Sequence, residues 1–290
     1  MKVLLLGASG FVGRALLNHK PPLMSADPTY CHNPPSGDAE TWIHLDLLRV
    51  TDWNKTLDGY DAVLLCARPK GATSKQRNSI ALETQTAMVA MLKAHSEMKN
   101  PPHVVALHGT LSYGDCGQQL VEIGQPYKPT GYATSYGIGE APLRDAAEKG
   151  RIGVMRAPWI LGGGSWFNAL YCSNEIPLFP GKPIWMAVVD VNDLAKEIWQ
   201  HVERKTTGIF HPQLLVRTTQ ERFANAVGRA RLIQPVRMSR WRMFRRYDKQ
   251  TRQSVLASIR LTSEQETDIE GDDAHEALDG VLQSLISGRS

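Results

Sequence analysis

The 290-residue sequence lacks several features that mark whole classes of protein. It has four cysteines and no C-x-x-C pair, so neither a zinc site nor a thioredoxin-like redox site is indicated. Its nine histidines form no H-E-x-x-H motif and no G-x-S-x-G sequence is present, which argues against a metal enzyme and a serine hydrolase. No apolar run approaches the roughly 20 residues that a membrane span requires, so the chain is not expected to enter a membrane.

Composition and charge describe a globular chain. Hydrophobic residues make up 42% and charged residues 21%, which is enough for a large core. The net charge of +4 is too small to indicate a nucleic-acid partner, and no base-reading motif accompanies it. The few cysteines, among them Cys66 in an apolar run, suit a reducing cytoplasm. The sequence does not fix the oligomeric state, and a homodimer stays open.

Short apolar runs alternate with helix-length segments over the first 160 residues. The runs predicted to be buried strands are Lys2–Leu6, Trp42–Leu45, Ala62–Ala67, Val104–Leu107 and Gly153–Met155, with a further strand near Leu23–Tyr30. The predicted helices among them are Phe11–Asn18, Asn78–Glu97 and Ala133–Glu148. This alternation predicts the α/β class, with a doubly wound, parallel, Rossmann-like sheet covered by helices on both sides.

The clearest chemical signal is a glycine-rich stretch, residues 7–13, which follows the first strand and opens a helix. In its G-x-x-G-x-x-G spacing, Gly7 allows a tight turn, Gly10 lets the backbone approach a pyrophosphate, and Gly13 lets helix and strand pack closely. The N–H groups and the positive dipole end of the helix favour an anion. We therefore predict a dinucleotide site here. The cofactor-binding residues predicted in this motif are Gly7, Ser9, Gly10, Phe11, Val12 and Gly13.

After residue 160 the alternation becomes irregular, and glycine and proline mark loops. We predict a dinucleotide-binding core over residues 1–160 and a small mixed substrate lobe over residues 161–290, with a strand and helix near 184–203 returning to the core. The helices predicted in this part are Asp193–Val202, one that starts at a capping box over 218–221, and a last one near Ala274–Ile286.

Beyond the glycine motif, five further stretches resemble the short-chain dehydrogenase/reductase family, in the extended or atypical branch that holds NAD-dependent epimerases and dehydratases and dTDP-4-dehydrorhamnose reductases. They are His44–Leu47, Asp61–Ala67, Ser112–Asp115, Arg156–Pro158 and Val189–Ala195. The resemblance covers about residues 1–230 and implies an NADP or NAD cofactor. The further cofactor-binding residues it implies are Asp46, at the adenine, with Leu47, Cys66, Ala67 and Pro158.

The active-site motif departs from the family pattern. Family members carry Tyr-x-x-x-Lys on one helix, and the matching stretch has Tyr132 at the tyrosine position but Tyr136 at the lysine position. In the family the lysine holds the nicotinamide ribose and favours the tyrosine anion. Without it, Tyr132 is expected to stay a protonated phenol. The family's Ser or Thr donor corresponds to Thr110 or Ser112, and the Tyr136 hydroxyl could replace part of the ribose contact.

Two functions remain open. A protonated phenol can donate to a carbonyl oxygen as hydride arrives but is a poor general base, so the favoured function is reduction rather than dehydrogenation, epimerisation or dehydration. The substrate class is a carbonyl or related C=X group on a polar, anionic metabolite, such as a nucleotide sugar or a carrier-bound intermediate. The alternative is a non-catalytic NAD(P)-binding regulatory or scaffold protein.

The choice between NAD and NADP depends on where the second strand ends. If Asp27 lies at its end, the carboxylate would bind the ribose and favour NAD. If the strand continues through Tyr30, His32 would face the 2′ position and favour NADP, and residues 30–34 are similar to a stretch of the dTDP-4-dehydrorhamnose reductase branch. We favour NADP, with His32 as a cofactor-binding residue.

The C-terminal lobe carries the predicted substrate and partner residues. Those that follow the Arg-x-Pro turn, and could line a substrate pocket, are Trp159, Trp166 and Asn168. Residues 217–252 hold eleven Lys or Arg against two acids, with Trp241 and Phe244 interleaved, which favours an anionic substrate or an acidic carrier protein. The alternative is a solvated basic face neutralised by residues 264–279, which hold eight acids.

Overall fold

The computed structural model describes residues 1–32, 42–263, 278–280 and 282. In chain order the strands are β1 (Lys2–Leu6), β2 (Ser25–Tyr30), β3 (Ile43–His44), β4 (Ala62–Leu65), β5 (His103–Gly109), β6 (Leu120–Val121), β7 (Gly153–Ala157), β8 (Trp159–Leu161), β9 (Pro177–Leu178), β10 (Trp185–Asp190), β11 (Gly208–Phe210), β12 (Val216–Thr219), β13 (Val236–Arg237) and β14 (Arg260–Leu261). The helices are α1 (Phe11–Asn18), α2 (Trp53–Leu57), α3 (Ser74–Glu97), α4 (Ala133–Glu148), α5 (Trp166–Tyr171), α6 (Val191–Glu203), α7 (Gln220–Arg231), α8 (Arg240–Arg246) and α9 (Lys249–Leu256), with a short 3-10 helix at Thr110–Tyr113. None of the described helices combines the length and the apolar character that a membrane crossing requires.

The first of two compact units is built on a seven-stranded sheet. It comprises Met1–His108, Ser135–Arg156 and Asn192–Phe210. The strand order is β11-β7-β5-β4-β1-β2-β3, and β1 pairs in parallel with both β2 and β4. The chain therefore reverses its direction of travel across the sheet between β1 and β4, which is where doubly wound sheets bind ligands, beyond the carboxyl ends of the strands. The predicted α/β class and Rossmann-like sheet are confirmed.

The second unit holds three small sheets around an aromatic core. It comprises Gly109–Thr134, Ala157–Val191 and His211–Ser290. In its largest sheet β10 lies between β12 and β8, antiparallel to the first and parallel to the second. Strand β9 pairs with β13 and β6 with β14. Phe167, Tyr171 and Phe223 are almost fully buried in the core, and Leu278 and Leu282 pack into the same cluster.

The two units alternate along the chain. Helix α6 and strand β11 belong to the sheet unit although they follow β8, β9 and β10 of the second unit. Of the strand and helix predicted to return to the core near residues 184–203, helix α6 lies almost wholly in the sheet unit, whereas strand β10 belongs to the second unit. The prediction placed one boundary at residue 160, whereas each unit consists of three separate segments of the chain.

Element bounds follow the apolar pattern closely where the pattern is strong. Strand β1 and helices α1 and α4 have the predicted bounds. Helix α3 begins at Ser74, four residues before the predicted start, because Thr73 and Gln76 cap each other's backbone N–H groups. Most of the helix predicted near Ala274–Ile286 lies outside the described residues, of which 278–280 and 282 are helical.

Candidate functional site

The turn after β1 needs glycine for both conformation and space. Gly7 has φ +92°, and a Cβ at this position would lie 2.5 Å from the backbone nitrogen of Ala67. The Gly7 N–H donates to Thr29 Oγ1 over 3.1 Å, and the Thr29 hydroxyl donates to the carbonyl of Leu5 over 3.0 Å. Thr29 is buried in β2, and it fixes the turn that the sequence analysis attributed to glycine alone.

Helix α1 presents an open N-terminus at this turn. Gly10 is its exposed N-cap, and no described side chain caps the helix by a hydrogen bond. Gly13 is buried, and a Cβ there would overlap the carbonyl oxygen of Gly7, so the helix could not approach the strand with any larger residue. Ser9, Phe11 and Val12 are half-buried around the turn. The uncapped backbone N–H groups beside the exposed Gly10 fit a pyrophosphate.

Strand β2 continues through Tyr30, so Cys31 and His32 follow its carboxyl end. Asp27 instead lies within the strand. Its carboxylate accepts a hydrogen bond from the Tyr60 hydroxyl at 2.8 Å and pairs with Lys2 Nζ at 3.1 Å. The interpretation of Asp27 as the ribose-binding acid is therefore wrong, because this carboxylate is already engaged three residues before the strand ends.

Asp46 and Leu47 lie beside the end of β2. The Asp46 carboxylate accepts the N–H of Leu48 at 3.0 Å, and burial together with Asp46 raises the pKa of Cys31. His44 Nε2 bonds to the carbonyl of Cys31 at 2.9 Å, a contact that the sequence analysis missed. Cys31, His44 and Asp46 thus meet at the edge where an adenosine would sit in a doubly wound sheet.

Cys66 and Ala67 follow β4 and pack against the glycine turn. The Cys66 thiol donates to the carbonyl of Leu6 at 3.3 Å, and burial raises its pKa to about 12, so it stays a neutral thiol. Ala67 supplies the backbone atoms that a Cβ on Gly7 would meet. Both residues lie at the same sheet edge as the glycine turn, as the resemblance implies.

Tyr136 lies in a cluster of charged and titratable side chains. The Arg68 guanidinium lies 4.1 Å from the centre of its ring and reaches Glu140 at 3.3 Å. Burial raises the pKa of Tyr136, although the charge of Arg68 opposes the rise, so the hydroxyl is neutral. Ser135, next to it on α4, donates to Asn78 Oδ1 at 2.6 Å.

His108 is almost fully buried next to this cluster. Its Nδ1 lies 3.8 Å from Glu140 Oε2, a distance at which a charged imidazole would form an ion pair. Burial nevertheless lowers the pKa of His108 well below its usual range. The positive charges of Arg156, Arg68 and Arg144 lower that pKa further, so the imidazole is neutral.

Tyr132 is held within the second unit. Its hydroxyl forms a 2.7 Å hydrogen bond with Thr251 Oγ1, and its N–H donates to Ser254 Oγ at 3.1 Å. Thr110 and Ser112 are buried in the 3-10 helix, and the carbonyl of Ser112 accepts the N–H of Lys128 at 3.0 Å. The contact with Thr251, 119 residues away in the sequence, had no signal in the local pattern.

The predicted substrate residues pack mainly into the core of the second unit. Pro158 is buried between β7 and β8, and the rings of Trp159 and Trp166 lie 4.5 Å apart. Trp166 also packs against Tyr171, with ring centres 5.9 Å apart. The Asn168 side chain on α5 accepts a hydrogen bond at 3.6 Å from the thiol of Cys172, the residue that follows this helix. Trp159 and Trp166 thus belong to one aromatic wall.

The basic segment divides into paired and outward-facing side chains. Arg242 and Arg246 both bond to Glu175, at 2.6 and 3.3 Å. Trp241 and Phe244 are 68% and 67% exposed, and the Arg245 guanidinium lies 4.6 Å from the centre of the Trp241 ring. The Arg252 guanidinium lies 4.0 Å from the centre of the Phe244 ring, so each of the two exposed aromatic rings of α8 has a guanidinium over it.

Among protein-family models, that of the NAD dependent epimerase/dehydratase family matches residues 3–209, well over half of the chain. A search of curated proteins gives no significant match.

Solved structures give matches over nearly the whole chain. The human epimerase family protein SDR39U1 (isoform 2), crystallised with NADPH, is 15% identical with a TM-score of 0.74, covering 99% of both chains. A dTDP-4-dehydrorhamnose reductase from Clostridium acetobutylicum is 16% identical with a TM-score of 0.69, covering 99% of this chain and all of its own. A dTDP-glucose 4,6-dehydratase from Bacillus anthracis, in complex with NAD, is 12% identical with a TM-score of 0.68, over 99% and 96%. At these identities the likeness establishes the fold alone.

Proposed function

Because the chain belongs to the NAD-dependent epimerase/dehydratase family, we propose that it is an NAD(P)H-dependent reductase. It acts on a carbonyl or related C=X group of a polar, anionic metabolite, with a nucleotide sugar as the first candidate. The glycine turn carries the proposal, since Gly7 and Gly13 let the turn and the helix pack closely and the exposed Gly10 leaves the helix N-terminus open. Four free cysteines are compatible with the reducing cytoplasm that we propose as its location.

The residues that would hold the cofactor lie at the carboxyl ends of the parallel strands. The turn and the first N–H groups of α1 would bind the pyrophosphate, and Asp46 would lie at the adenine. Because β2 runs through Tyr30, His32 follows the end of the strand, whereas Asp27 lies within it and pairs with Lys2, and this supports our assignment of His32 to the ribose 2′ position. This arrangement favours NADPH over NADH. When bound, the reduced nicotinamide supplies the hydride.

Tyr132 is the proposed proton donor. A phenol gives its proton to the carbonyl oxygen as negative charge develops there, and Thr251 orients it by the hydrogen bond to its hydroxyl. Thr110 and Ser112 are the candidate second donors to the same oxygen. With Tyr136 at the family's lysine position, α4 has no lysine one turn after Tyr132, and this departure from the family motif supports the reductive direction.

A non-catalytic NAD(P)-binding protein is the second candidate. Two observations favour it: the position of the family's lysine is a tyrosine, and the Tyr132 hydroxyl is bonded to another side chain. In that case the dinucleotide would be a bound regulator or structural element, and Tyr132 would join α9 to the segment that precedes α4.

An acidic carrier protein remains a proposed partner, and the structure narrows the side chains that could bind it. Arg242 and Arg246 are engaged with Glu175, whereas Arg240 and Arg245 are exposed on α8 beside Trp241. The proposed carrier surface therefore consists of Arg240, Trp241, Phe244 and Arg245. A homodimer also stays a proposal.

The reductase is tested by NADPH consumption over a panel of nucleotide-linked keto sugars, with Tyr132→Phe beside the full-length protein. We expect at least one substrate to be turned over and the variant to lose about 100-fold or more in kcat, with unchanged NADPH affinity. Tyr60→Phe, which removes a hydroxyl bonded to Asp27, is the matched control and should keep its activity. NADPH binding without turnover of any substrate would favour the non-catalytic alternative, and an active Tyr132→Phe would remove this residue from the reaction.

A further inference from the structure

Arg68 brings a positive charge to α4 from a different element. It lies three residues beyond the end of β4, and its guanidinium covers the ring of Tyr136 at 4.1 Å. One of its N–H groups reaches Glu140, one helical turn after Tyr136, at 3.3 Å. A ring contact and a carboxylate together fix a guanidinium in one plane.

The same segment forms part of the glycine turn. Leu65 of β4 pairs with Leu6 of β1, so the two strands end side by side. Ala67 is the residue that meets Gly7, and Arg68 is the next in the chain. The guanidinium therefore emerges at the edge of the sheet where a dinucleotide would lie.

The guanidinium keeps donors that its protein contacts do not use. Stacking on Tyr136 occupies the face of the group, whereas its five N–H donors lie in the plane. The Arg68 side chain is 49% exposed, so a ligand can reach it. Hydroxyl and phosphate oxygens are suitable acceptors for such donors.

The neighbouring titratable rings carry no charge of their own. Burial raises the pKa of Tyr136 and lowers the pKa of His108 well below its usual range. Neither ring can replace the cation that the lysine position of α4 lacks. Arg68 brings a fixed charge to the same helical face.

We propose that Arg68 is a cofactor-binding residue that donates hydrogen bonds to the ribose of the nicotinamide half of the dinucleotide, and so supplies from the β4 loop the cation that α4 lacks at position 136. This inference rests on the proposed function. It adds a residue that neither the glycine motif nor the tyrosine motif identifies.

The test compares the whole dinucleotide with a fragment that lacks the nicotinamide half. Calorimetry would measure the affinity of the full chain for NADPH and for adenosine 2′,5′-bisphosphate, in wild type, Arg68→Met and Arg68→Lys. We expect Arg68→Met to weaken NADPH about tenfold or more, the effect of one lost charge-assisted bond, and to leave the fragment's affinity unchanged. Arg68→Lys should recover part of the loss.

Two further variants sharpen the test. Arg144→Met removes another arginine near His108, one that pairs with Asp145 and Glu148 on its own helix, and should leave both affinities unchanged. Adding Tyr136→Lys to Arg68→Met returns a cation to α4 and should restore NADPH binding.

The outcomes separate the two proposals. The role of Arg68 is overturned if wild type binds NADPH and Arg68→Met binds it equally well. It is also overturned if Arg68→Met weakens binding of adenosine 2′,5′-bisphosphate as much as binding of NADPH. In both cases the reductase proposal stands. If wild type binds neither ligand, the proposed function fails and this inference fails with it.

Discussion

At the scale of single residues, the local pattern identified the positions where backbone geometry excludes a side chain. Gly7, Gly10 and Gly13 were predicted from spacing, and the structure places a turn, a helix cap and a helix–strand contact at them. Thr29 and Arg68 were not predicted, because they act through partners 22 and 72 residues away. Such contacts depend on strand order, which spacing along the chain does not encode.

His108 gives a residue-scale prediction for stability. Its pKa is lowered in the folded protein, whereas an unfolded histidine titrates near pH 6.5. Below about pH 6.5 the unfolded chain binds a proton that the folded chain does not. The free energy of unfolding therefore decreases as the pH is lowered, by up to about 1.4 kcal/mol per pH unit from this group. His108→Leu should flatten this part of the profile in urea denaturation.

The control for His108 is His32→Leu, which changes an exposed imidazole. Its pH profile should follow that of wild type. A wild-type slope retained in His108→Leu would show that the buried imidazole is not the group responsible.

At the scale of elements, the apolar pattern predicted whether a segment is a strand or a helix, whereas local capping contacts set where a helix such as α3 begins. Strand β2 was predicted only approximately, near residues 23–30, and its extension through Tyr30 decided the interpretation of Asp27 and His32. Helix α3 starts before its apolar face begins, because the capping box precedes it. That signal, Thr73-x-x-Gln76, was present in the sequence and could have been used.

The capping box of α3 gives an element-scale prediction. The Thr73 hydroxyl accepts the N–H of Gln76 at 3.2 Å, and the Gln76 side chain accepts the N–H of Thr73 at 3.1 Å. Thr73→Ala should lower the free energy of unfolding by about 1 kcal/mol, measured by urea denaturation. Thr86→Ala, at an exposed position within the same helix, is the matched control and should change it by less. Equal effects would show that capping does not set the start of α3.

At the scale of the whole molecule, the alternation of strands and helices predicted the parallel sheet, and the motifs that resemble the short-chain dehydrogenase/reductase family indicated the family; both are confirmed. Apart from the return near residues 184–203, the sequence did not predict that the units alternate, with residues 109–134 and 157–191 in one and 135–156 in the other. This follows from packing between distant segments. The aromatic residues after β7 illustrate the same limit, since their composition suits a pocket wall and a core equally.

The central claim is that the first turn of the chain binds a nicotinamide dinucleotide, and calorimetry with NADPH on wild type and Gly10→Glu tests it most directly. The new side chain would place a carboxylate at the exposed N-cap of α1, where it repels a pyrophosphate and occupies its space. Gly124→Glu, at a glycine with no atom within 4 Å of a built Cβ, is the matched control. We predict saturable binding to wild type and the control, and none to Gly10→Glu in a folded state. No NADPH uptake by wild type, or equal uptake by Gly10→Glu, would contradict the account.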